Sequence, residues 1–343
     1  MPHWDISCLD WKIEMPAPPT DSFHRKIDYL RMSITDRCNL RCYYCMPESG
    51  IPKIDHSEIL RYEEIVRLVG IVIAMGMSKV RLTGGEPLVR RDVLSLCENI
   101  SKLPGLKSIS LTTNGVLLSD FAEGLFRAGI RRINVSLDTL KAERFALITK
   151  MDLFDRVWEG IMTALRVGFS PVKLNTVVMR GVNDDEIEDL ARLTFEFPFH
   201  VRFIEFMPFR QLGSGKIFMS ASEILERLSR TGPLETASEE ESNGPALHYR
   251  FKGAPGKIGI ISPVSDHFCP NCNRLRVTAD GKLRTCLFSS DEIDLRGLLR
   301  QGVQDKEIAA AILTAINNKP EKHHLSNPVF RKCISRPMFS IGG

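Results

Sequence analysis

A regular alternation of short apolar segments and amphipathic helical patterns runs through the first two thirds of the chain. Strands are predicted at 29–34, 79–83, 107–112, 132–137, 172–178 and 201–206, and helices near 61–75, 90–102, 118–128, 154–167 and 184–195. Connections of this length between consecutive strands imply a parallel sheet with right-handed crossovers and helices on the outside. Six such units favour a partial barrel over a two-layer sandwich, and periodicity alone leaves both open. The predicted fold class is therefore α/β, as a partial (βα)6 barrel of the TIM type.

The alternation stops near residue 215, which predicts a change of architecture at that point. Residues 1–25 show no periodic pattern and cluster prolines at 16–19, so we expect a surface arm there, followed by the (βα)6 core over 26–215. The remainder, 216–343, is predicted to be a smaller α+β unit that carries a second set of cysteines. Within it we expect a helix near 220–230, an exposed acidic loop around 239–241 and short strands at 246–251 and 257–261.

The composition narrows the functional class. A formal net charge of +4 over 343 residues, without a basic stripe or tail, does not favour a nucleic-acid-binding protein. No apolar run is long enough to span a bilayer, and acidic residues interrupt the N-terminus, so we expect neither a membrane protein nor a secretion signal. Six of the nine cysteines fall in two tight groups, which indicates metal ligands in a reducing, cytoplasmic setting rather than disulfides.

The first cysteine group, Cys38, Cys42 and Cys45, forms a CxxxCxxC pattern directly after the first predicted strand. Three thiolates can ligate three irons of a cubane cluster and leave the fourth iron open, whereas electron-transfer clusters normally have four cysteine ligands. An open iron indicates a catalytic cluster. The alternative is a zinc knot, but zinc prefers paired CxxC spacing with a fourth ligand nearby, and no histidine lies close in sequence.

The second cysteine group consists of Cys269, Cys272 and Cys286. Zinc is a stronger alternative here, since CxxC is typical of a zinc knuckle and His267 would complete a Cys₃His set. Spacing alone leaves cluster and zinc open. In an extended segment Cys272, Arg274 and Arg276 point to one face, and two adjacent guanidinium groups favour a bound anion such as a phosphate.

Basic residues recur on one face of several predicted strands. They are Arg31 in the first strand, Lys79 and Arg81 in the second, Lys173 in the fifth and Arg202 in the sixth. If these faces line the barrel, the buried charge is costly unless a polyanion such as a triphosphate offsets it. The alternative is that they face solvent or pair with Glu205 and Asp138. Since the chain has no GxxxxGK[ST] motif, side chains rather than a P-loop would hold the phosphates.

Two motifs carry a family resemblance. The CxxxCxxC pattern with Tyr44 before its last cysteine, and the string Gly84-Gly85-Glu86-Pro87 after the second strand, resemble the radical S-adenosylmethionine (SAM) superfamily. This resemblance implies that the open iron binds the amino and carboxylate groups of SAM. It also implies that an electron from the cluster cleaves the sulfonium and yields a 5′-deoxyadenosyl radical.

Further strings narrow the resemblance to the GTP 3′,8-cyclase family of molybdenum cofactor biosynthesis, over nearly all of residues 26–343. They are TDRCN at 35–39, TGGEPL at 83–88, TTNG at 112–115, NVSLD at 134–138, RFIEFMP at 202–208, CPNCNRLR at 269–276 and the terminal IGG. Each string alone is moderately specific, but their occurrence in this order makes a chance match implausible.

The resemblance implies a role for each matching residue. Cys38, Cys42 and Cys45 would bind one [4Fe-4S] cluster, and Cys269, Cys272 and Cys286 a second, whose open iron takes the guanine base. Tyr44, Gly85, Ser136 and Met207 would line the SAM site. Arg31, Lys79, Arg81, Thr112, Lys173, Arg202, Arg274 and Arg276 would surround GTP and its phosphates. Catalysis would also involve Arg31, Arg274, Arg276 and the terminal pair Gly342 and Gly343, which reaches back into the active site.

The implied reaction is that of a lyase. The deoxyadenosyl radical abstracts the ribose 3′ hydrogen of GTP, the carbon radical attacks C8 of the same guanine, and reduction gives (8S)-3′,8-cyclo-7,8-dihydroguanosine 5′-triphosphate. The resemblance further implies a homodimer and transfer of the product to cyclic pyranopterin monophosphate synthase. No nucleic-acid or membrane partner is expected.

Two other functions remain open at this stage. A peptide-modifying radical SAM maturase also carries an auxiliary cluster, but such enzymes tend to have more cysteines in the C-terminal unit and no arginine pair beside them. A zinc-dependent nucleic-acid-binding protein would explain six clustered cysteines, but neither Gly84-Gly85-Glu86-Pro87 nor the modest net charge.

Overall fold

A single twisted sheet organises the chain. The computed structural model describes residues 16–46, 54–207, 214–237, 244–323, 336 and 338–342. Twelve strands in these ranges pair in the order β12-β11-β10-β1-β2-β3-β4-β5-β6-β9-β8-β7. The first six are β1 (Tyr29–Ser33), β2 (Lys79–Thr83), β3 (Ser108–Thr113), β4 (Arg132–Ser136), β5 (Val172–Val178) and β6 (His200–Glu205). The other six are β7 (Leu234–Thr236), β8 (Leu247–Phe251), β9 (Lys257–Ile261), β10 (Arg274–Val277), β11 (Lys282–Arg284) and β12 (Ile293–Asp294).

Helices connect the six parallel strands and cover the outer face of the sheet. Those of the first part are α1 (Tyr62–Ala74), α2 (Val93–Ser101), α3 (Leu118–Arg127), α4 (Ala142–Thr149), α5 (Phe154–Val167) and α6 (Ile187–Glu196). Those after β6 are α7 (Ser214–Ile217), α8 (Ala221–Ser229), α9 (Leu295–Arg300), α10 (Asp305–Asn317) and α11 (Met338–Ile341). The predicted α/β class and partial barrel are confirmed, and β1 to β6 match the predicted strands to within a residue or two at each end.

Strand alternation separates a core face from a lumen face. In β5, Val172, Leu174 and Val178 are buried, while Lys173 and Asn175 between them line an internal cavity. Successive side chains of a strand point to opposite faces, so the apolar half packs on the helices and the polar half faces inward. The same division gives the barrel a large apolar core outside the sheet and a polar interior.

The strands after residue 215 extend both edges of this sheet. β9 pairs in parallel with β6, and β8 and β7 continue that edge as antiparallel strands. β10 pairs in parallel with β1 on the opposite edge, and β11 and β12 follow it. The segment predicted as a smaller C-terminal unit is thus joined to the core through both edge strands. The predicted acidic loop at 239–241 and residues 1–15 of the predicted arm lie outside the described residues.

The described part of the N-terminal arm is irregular but partly packed. Asp21 and Arg25 form a buried ion pair of 2.6 Å, and Thr20 makes an isolated bridge with Lys26. The Arg25 guanidinium also donates to the carbonyls of Cys269 and Glu321. The arm is therefore tied to the segment that carries the second cysteine group. None of the described helices has the length and apolar character needed to cross a bilayer.

Candidate active site

A cavity of about 850 Å³ occupies the barrel lumen. It is lined by all six clustered cysteines and by every residue that the sequence assigned to the SAM and GTP sites. The further lining includes Asn134, Asn175, His200, Lys257 and Phe268, which the sequence analysis did not assign. Asn134, Asn175 and His200 lie two positions from an assigned residue of the same strand, so their side chains point into the same lumen. This alternation is the sequence pattern that could have predicted them.

The two cysteine groups lie at opposite ends of this lumen. β1 and β10 are parallel neighbours, in register from Tyr29 opposite Arg274 onward. The first cysteine loop follows the C-terminal end of β1, whereas Cys272 precedes the N-terminal end of β10. A five-residue strand spans roughly 17 Å. A molecule in contact with both groups must therefore extend along the barrel axis.

The first cysteine loop is held from two sides. On one side, the backbone N–H groups of Arg41 and Tyr43 donate to the carbonyls of Thr149 and Ile148 at the end of α4 (2.9 and 3.0 Å). Helix α4 was not predicted, because its eight residues carry only a weak amphipathic pattern. Within the loop, the Cys45 N–H donates to the Cys42 carbonyl at 2.9 Å. The loop geometry is thus set by backbone contacts before any ligand binds.

On the other side, the glycine pair packs directly on this loop. The Gly85 N–H donates to the Thr35 carbonyl and the Glu86 N–H to the Arg37 carbonyl, both at 2.7 Å. A Cβ atom on Gly84 or on Gly85 would collide with the Thr35 or Arg37 backbone, respectively. Glycine is required here because only a residue without a side chain allows such close approach of two backbones.

Two buried carboxylates orient polar residues around the first cysteine group. Glu86 accepts hydrogen bonds from Leu88 N (3.0 Å), Thr113 Oγ1 (2.8 Å) and Asn114 N (2.6 Å), and burial raises its pKa to about 7. The Asn114 amide in turn contacts Cys38 Sγ at 3.7 Å. Glu86 therefore positions a polar neighbour of the cysteine loop.

Asp138 plays the corresponding role for Tyr44. It accepts from the Tyr44 hydroxyl at 2.7 Å and from Val177 N at 2.9 Å, and burial raises its pKa to about 6. This carboxylate is directed at Tyr44 and at the sheet, and does not pair with a lumen cation in the described structure.

The thiols of the two groups differ in electrostatic environment. Burial, Cys45 and Asp138 raise the pKa of Cys42 well above its usual value, and burial raises that of Cys38. Burial also disfavours the Cys272 thiolate, but the charges of Arg274 and Lys319 outweigh it and lower its pKa to about 6. Burial raises the pKa of Cys269 as well, so the cationic surroundings favour the thiolate specifically at Cys272, and a bound metal would favour ionisation of the other thiols.

A buried lysine that the sequence pattern does not predict lies next to the second cysteine group. Lys319 is 3% exposed, and its ammonium donates to the carbonyls of Arg274 (3.2 Å) and Thr285. It follows α10 with no local pattern that would distinguish it from a surface lysine. Together with Arg274, it surrounds Cys272 with positive charge.

The zinc alternative for the second group depends on His267 as a fourth ligand. Within the described ranges, no three His, Cys, Asp or Glu side chains converge on a point at single-ion distance. His267 instead makes an edge-on ring contact with His323, with centroids 5.3 Å apart. A cubane spreads its thiolate ligands over different irons, so it does not need such convergence.

A row of guanidinium groups crosses the lumen at mid-height. Arg31 lies in register between Arg276 on one neighbouring strand and Arg81 on the other. Burial and these two arginines lower the pKa of Arg31 well below its usual value, and burial and Arg274 lower that of Arg276 to about 9. Like charges at this spacing oppose folding unless an anion binds between them.

Several other residues of the lumen have a buried polar atom without a hydrogen-bond partner among the described residues. Arg202 Nε, Thr112 Oγ1, Asn134 Oδ1 and Asn175 Oδ1 are buried and have no hydrogen-bond partner within the described residues. Burial and Arg81 lower the pKa of Arg202 to about 10. Lys79 differs, since it pairs with Asp28 at 2.7 Å. Buried polar groups are normally satisfied, so the lumen is shaped for a polar, anionic molecule.

The C-terminus reaches this row of arginines. The Gly342 carbonyl accepts from Arg276 Nη1 at 2.8 Å, and both groups are buried. Gly342 has a φ of +75°, and a Cβ there would lie 2.7 Å from Thr83 Cγ2. The structure therefore places the tail at the ends of β1 and β2, where the sequence analysis expected it. Gly343 lies outside the described residues.

Comparisons with known proteins agree with this architecture. The family model of the Radical SAM superfamily matches residues 32–194, and that of Molybdenum Cofactor Synthesis C matches residues 199–325. The chain is 51% identical to the GTP 3′,8-cyclase of Moorella thermoacetica over 324 residues, or 94% of this chain and 99% of that protein. It is 50% identical to the GTP 3′,8-cyclase of Pelotomaculum thermopropionicum over 308 residues, or 89% and 95% of the two chains.

Two solved structures are similar in fold. Streptococcus suis SuiB bound to its precursor peptide SuiA aligns with a TM-score of 0.61 at 15% identity, covering 95% of this chain and 71% of that one. SuiB bound to S-adenosylmethionine aligns with a TM-score of 0.59 at 16% identity, covering 92% and 71%. At this identity the likeness concerns the fold alone.

We predict that Gly85→Ala displaces the first cysteine loop, because the added Cβ collides with the Arg37 carbonyl. The anaerobically reconstituted variant should lose about half of its iron while the second group still loads. Gly244→Ala is the matched control, since a Cβ there meets no atom within 4 Å. Wild-type iron content in Gly85→Ala would contradict the packing role of the glycine pair.

Proposed function

The chain belongs to the GTP 3′,8-cyclase family of radical SAM enzymes, and from that premise we propose how its lumen performs the reaction. We propose that it converts GTP to (8S)-3′,8-cyclo-7,8-dihydroguanosine 5′-triphosphate, the first step of molybdenum cofactor biosynthesis. The observation that carries the proposal is the cation-lined cavity between two separate groups of three cysteines.

Each cysteine group fits one [4Fe-4S] cluster with an open iron. Cys38, Cys42 and Cys45 would hold the cluster that binds SAM, and Cys269, Cys272 and Cys286 the one that faces guanine. When bound, the first cluster supplies the electron that cleaves SAM and releases the 5′-deoxyadenosyl radical. The fit rests on three partly buried thiols in one short loop at the first group and on the cationic surroundings of Cys272 at the second.

Four residues near the first group would bind SAM: Tyr44, Gly85, Ser136 and Met207. All four line the cavity at the end where the strands β1 to β6 terminate. The Asp138–Tyr44 hydrogen bond fixes the Tyr44 ring beside the cysteine loop. Gly85, besides its packing on Arg37, keeps this wall of the cavity free of a side chain. The chain's contribution here is to bind and orient SAM against the lumen.

The lumen cations would hold the triphosphate and ribose. Arg31, Lys79, Arg81, Thr112, Lys173, Arg202, Arg274 and Arg276 line one continuous surface. Guanidinium groups bind phosphate oxygens bidentately, which offsets the cost of burying them. These cations lie between the two cysteine groups. Phosphate contacts with them would therefore place the ribose between SAM and the end of the lumen that binds guanine. Arg276, which lies in register with Arg31, donates to the Gly342 carbonyl, and these residues would exclude water at the tail end of the lumen. Arg274 would act at the opposite end beside Cys272.

A peptide-modifying activity is the second candidate, since SuiB with its bound peptide shares the fold. The row formed by Arg276, Arg31 and Arg81 favours a polyanion over a peptide in this chain. The homodimer and transfer of the product to cyclic pyranopterin monophosphate synthase are proposed from the family alone. The cytoplasmic location stays a prediction.

We predict that the anaerobically reconstituted protein binds about eight irons, as two cubane clusters require. Iron and zinc are measured by plasma emission spectroscopy on wild type and on Cys272→Ala, which should retain about half of the iron. Zinc at the second group, with iron only at the first, would overturn the two-cluster proposal.

We predict that Arg202→Met raises the KM for GTP by about tenfold or more, because a charged contact to phosphate is lost. The same change should raise the unfolding midpoint of the GTP-free protein, since it removes a buried cation whose Nε has no partner. Arg230→Met, in an exposed ion pair with Glu226, serves as the control.

Opposite effects on binding and stability distinguish a substrate contact from a structural arginine. An Arg202→Met variant that loses stability and keeps the wild-type KM would contradict the assignment. If SAM is cleaved but GTP remains unchanged in the wild-type protein, the substrate itself is wrong.

A further inference from the structure

Arg336 joins the C-terminal segment to two carboxylates, Asp280 in the turn between β10 and β11 and Glu292 directly before β12. Its Nη1 and Nη2 donate to the two oxygens of Asp280 at 3.0 and 2.9 Å. Its Nη2 and Nε also contact Glu292 at 2.9 and 2.8 Å. This bidentate, charge-assisted arrangement is the strongest kind of side-chain pair, and here it is half-buried. We call these three residues the tail clamp.

The carboxylates of the tail clamp are fixed before Arg336 reaches them. Asp280 lies in the turn between β10 and β11 and accepts from the Thr278 hydroxyl at 2.6 Å. Glu292 pairs in addition with Arg284, whose side chain is fully buried. Asp280 and Glu292 therefore form a preformed acidic site for Arg336. When Arg336 binds there, the main entropic cost is the ordering of its own side chain.

The same hairpin contacts the tail a second time. Six positions after Arg336, the Gly342 carbonyl accepts from Arg276 on β10. Between the two contacts, Phe339, Ser340 and Ile341 are buried against the barrel. Arg276 and Asp280 are separated by only four positions, so one rigid hairpin holds the segment at both ends.

We propose that Arg336 is a positioning residue that seats Gly342 next to Arg276 and closes the lumen at the ends of β1 and β2. Chain termini fray unless they are tied down, and the Gly342 contact is a single hydrogen bond to a cation that the substrate phosphates also attract. The tail clamp supplies the additional attachment. The effect on turnover rests on the proposed function, whereas the seating of the tail does not.

The test measures amide hydrogen exchange of the peptide that covers 338–342 in reconstituted, GTP-free enzyme, together with kcat and KM for GTP. Arg336→Ala should speed exchange of this peptide by about tenfold or more and lower kcat by a similar factor, with the iron content unchanged. Arg336→Lys, which keeps the charge but not the fork, should give intermediate values. Arg230→Ala, from an exposed ion pair, should change neither.

A double-mutant cycle with Asp280→Asn checks the pairing. The combined variant should be little worse than Arg336→Ala alone, because both changes break the same contact. Unchanged exchange in Arg336→Ala, strictly additive effects, or loss of iron without faster exchange would each overturn the proposal. If GTP is not the substrate, turnover is absent in every variant and wild type, but the exchange result still decides the seating.

Discussion

Positive charge buried in the barrel lumen is the constraint on which the rest of the structure depends. Arg276, Arg31 and Arg81 stand side by side on neighbouring strands, and Arg202 faces the same space. Their mutual repulsion and desolvation oppose folding, so the apolar core outside the sheet must supply the stability that the lumen lacks. Such an arrangement is useful only if a polyanion fills it. The ligand-free protein therefore carries an electrostatic strain that substrate binding relieves.

The parallel direction of the strands places the two cysteine groups at opposite ends of this charged lumen. Because β10 runs parallel to β1, the segment before β10 and the loop after β1 lie at opposite ends, and the guanidinium row lies between them. In the first cysteine group Cys42 lies near the charge of Asp138, whereas in the second Cys272 is surrounded by Arg274 and Lys319. A radical generated at the first end thus meets a substrate held from the second. The C-terminal segment completes the enclosure at the first end.

Much of this architecture was predictable because its signals are local. Strands β1 to β6 alternate apolar and polar residues, and the cysteine spacings and the glycine pair sit at strand ends. What the sequence did not show depends on non-local pairing. β11 and β12 have three and two residues, too few for a periodic pattern, and α4 is weakly amphipathic. Lys319 looks like a surface residue in sequence and becomes a buried cation only through its contacts with distant carbonyls.

The central claim is that the lumen directs the radical to the ribose of a bound GTP. The most direct measurement uses GTP deuterated at the ribose 3′ carbon, incubated anaerobically with SAM, reductant and the reconstituted protein. The account predicts one deuterium in the 5′-deoxyadenosine, recovered in step with loss of GTP. Unlabelled 5′-deoxyadenosine formed while GTP is consumed, or labelled GTP recovered intact, would contradict it.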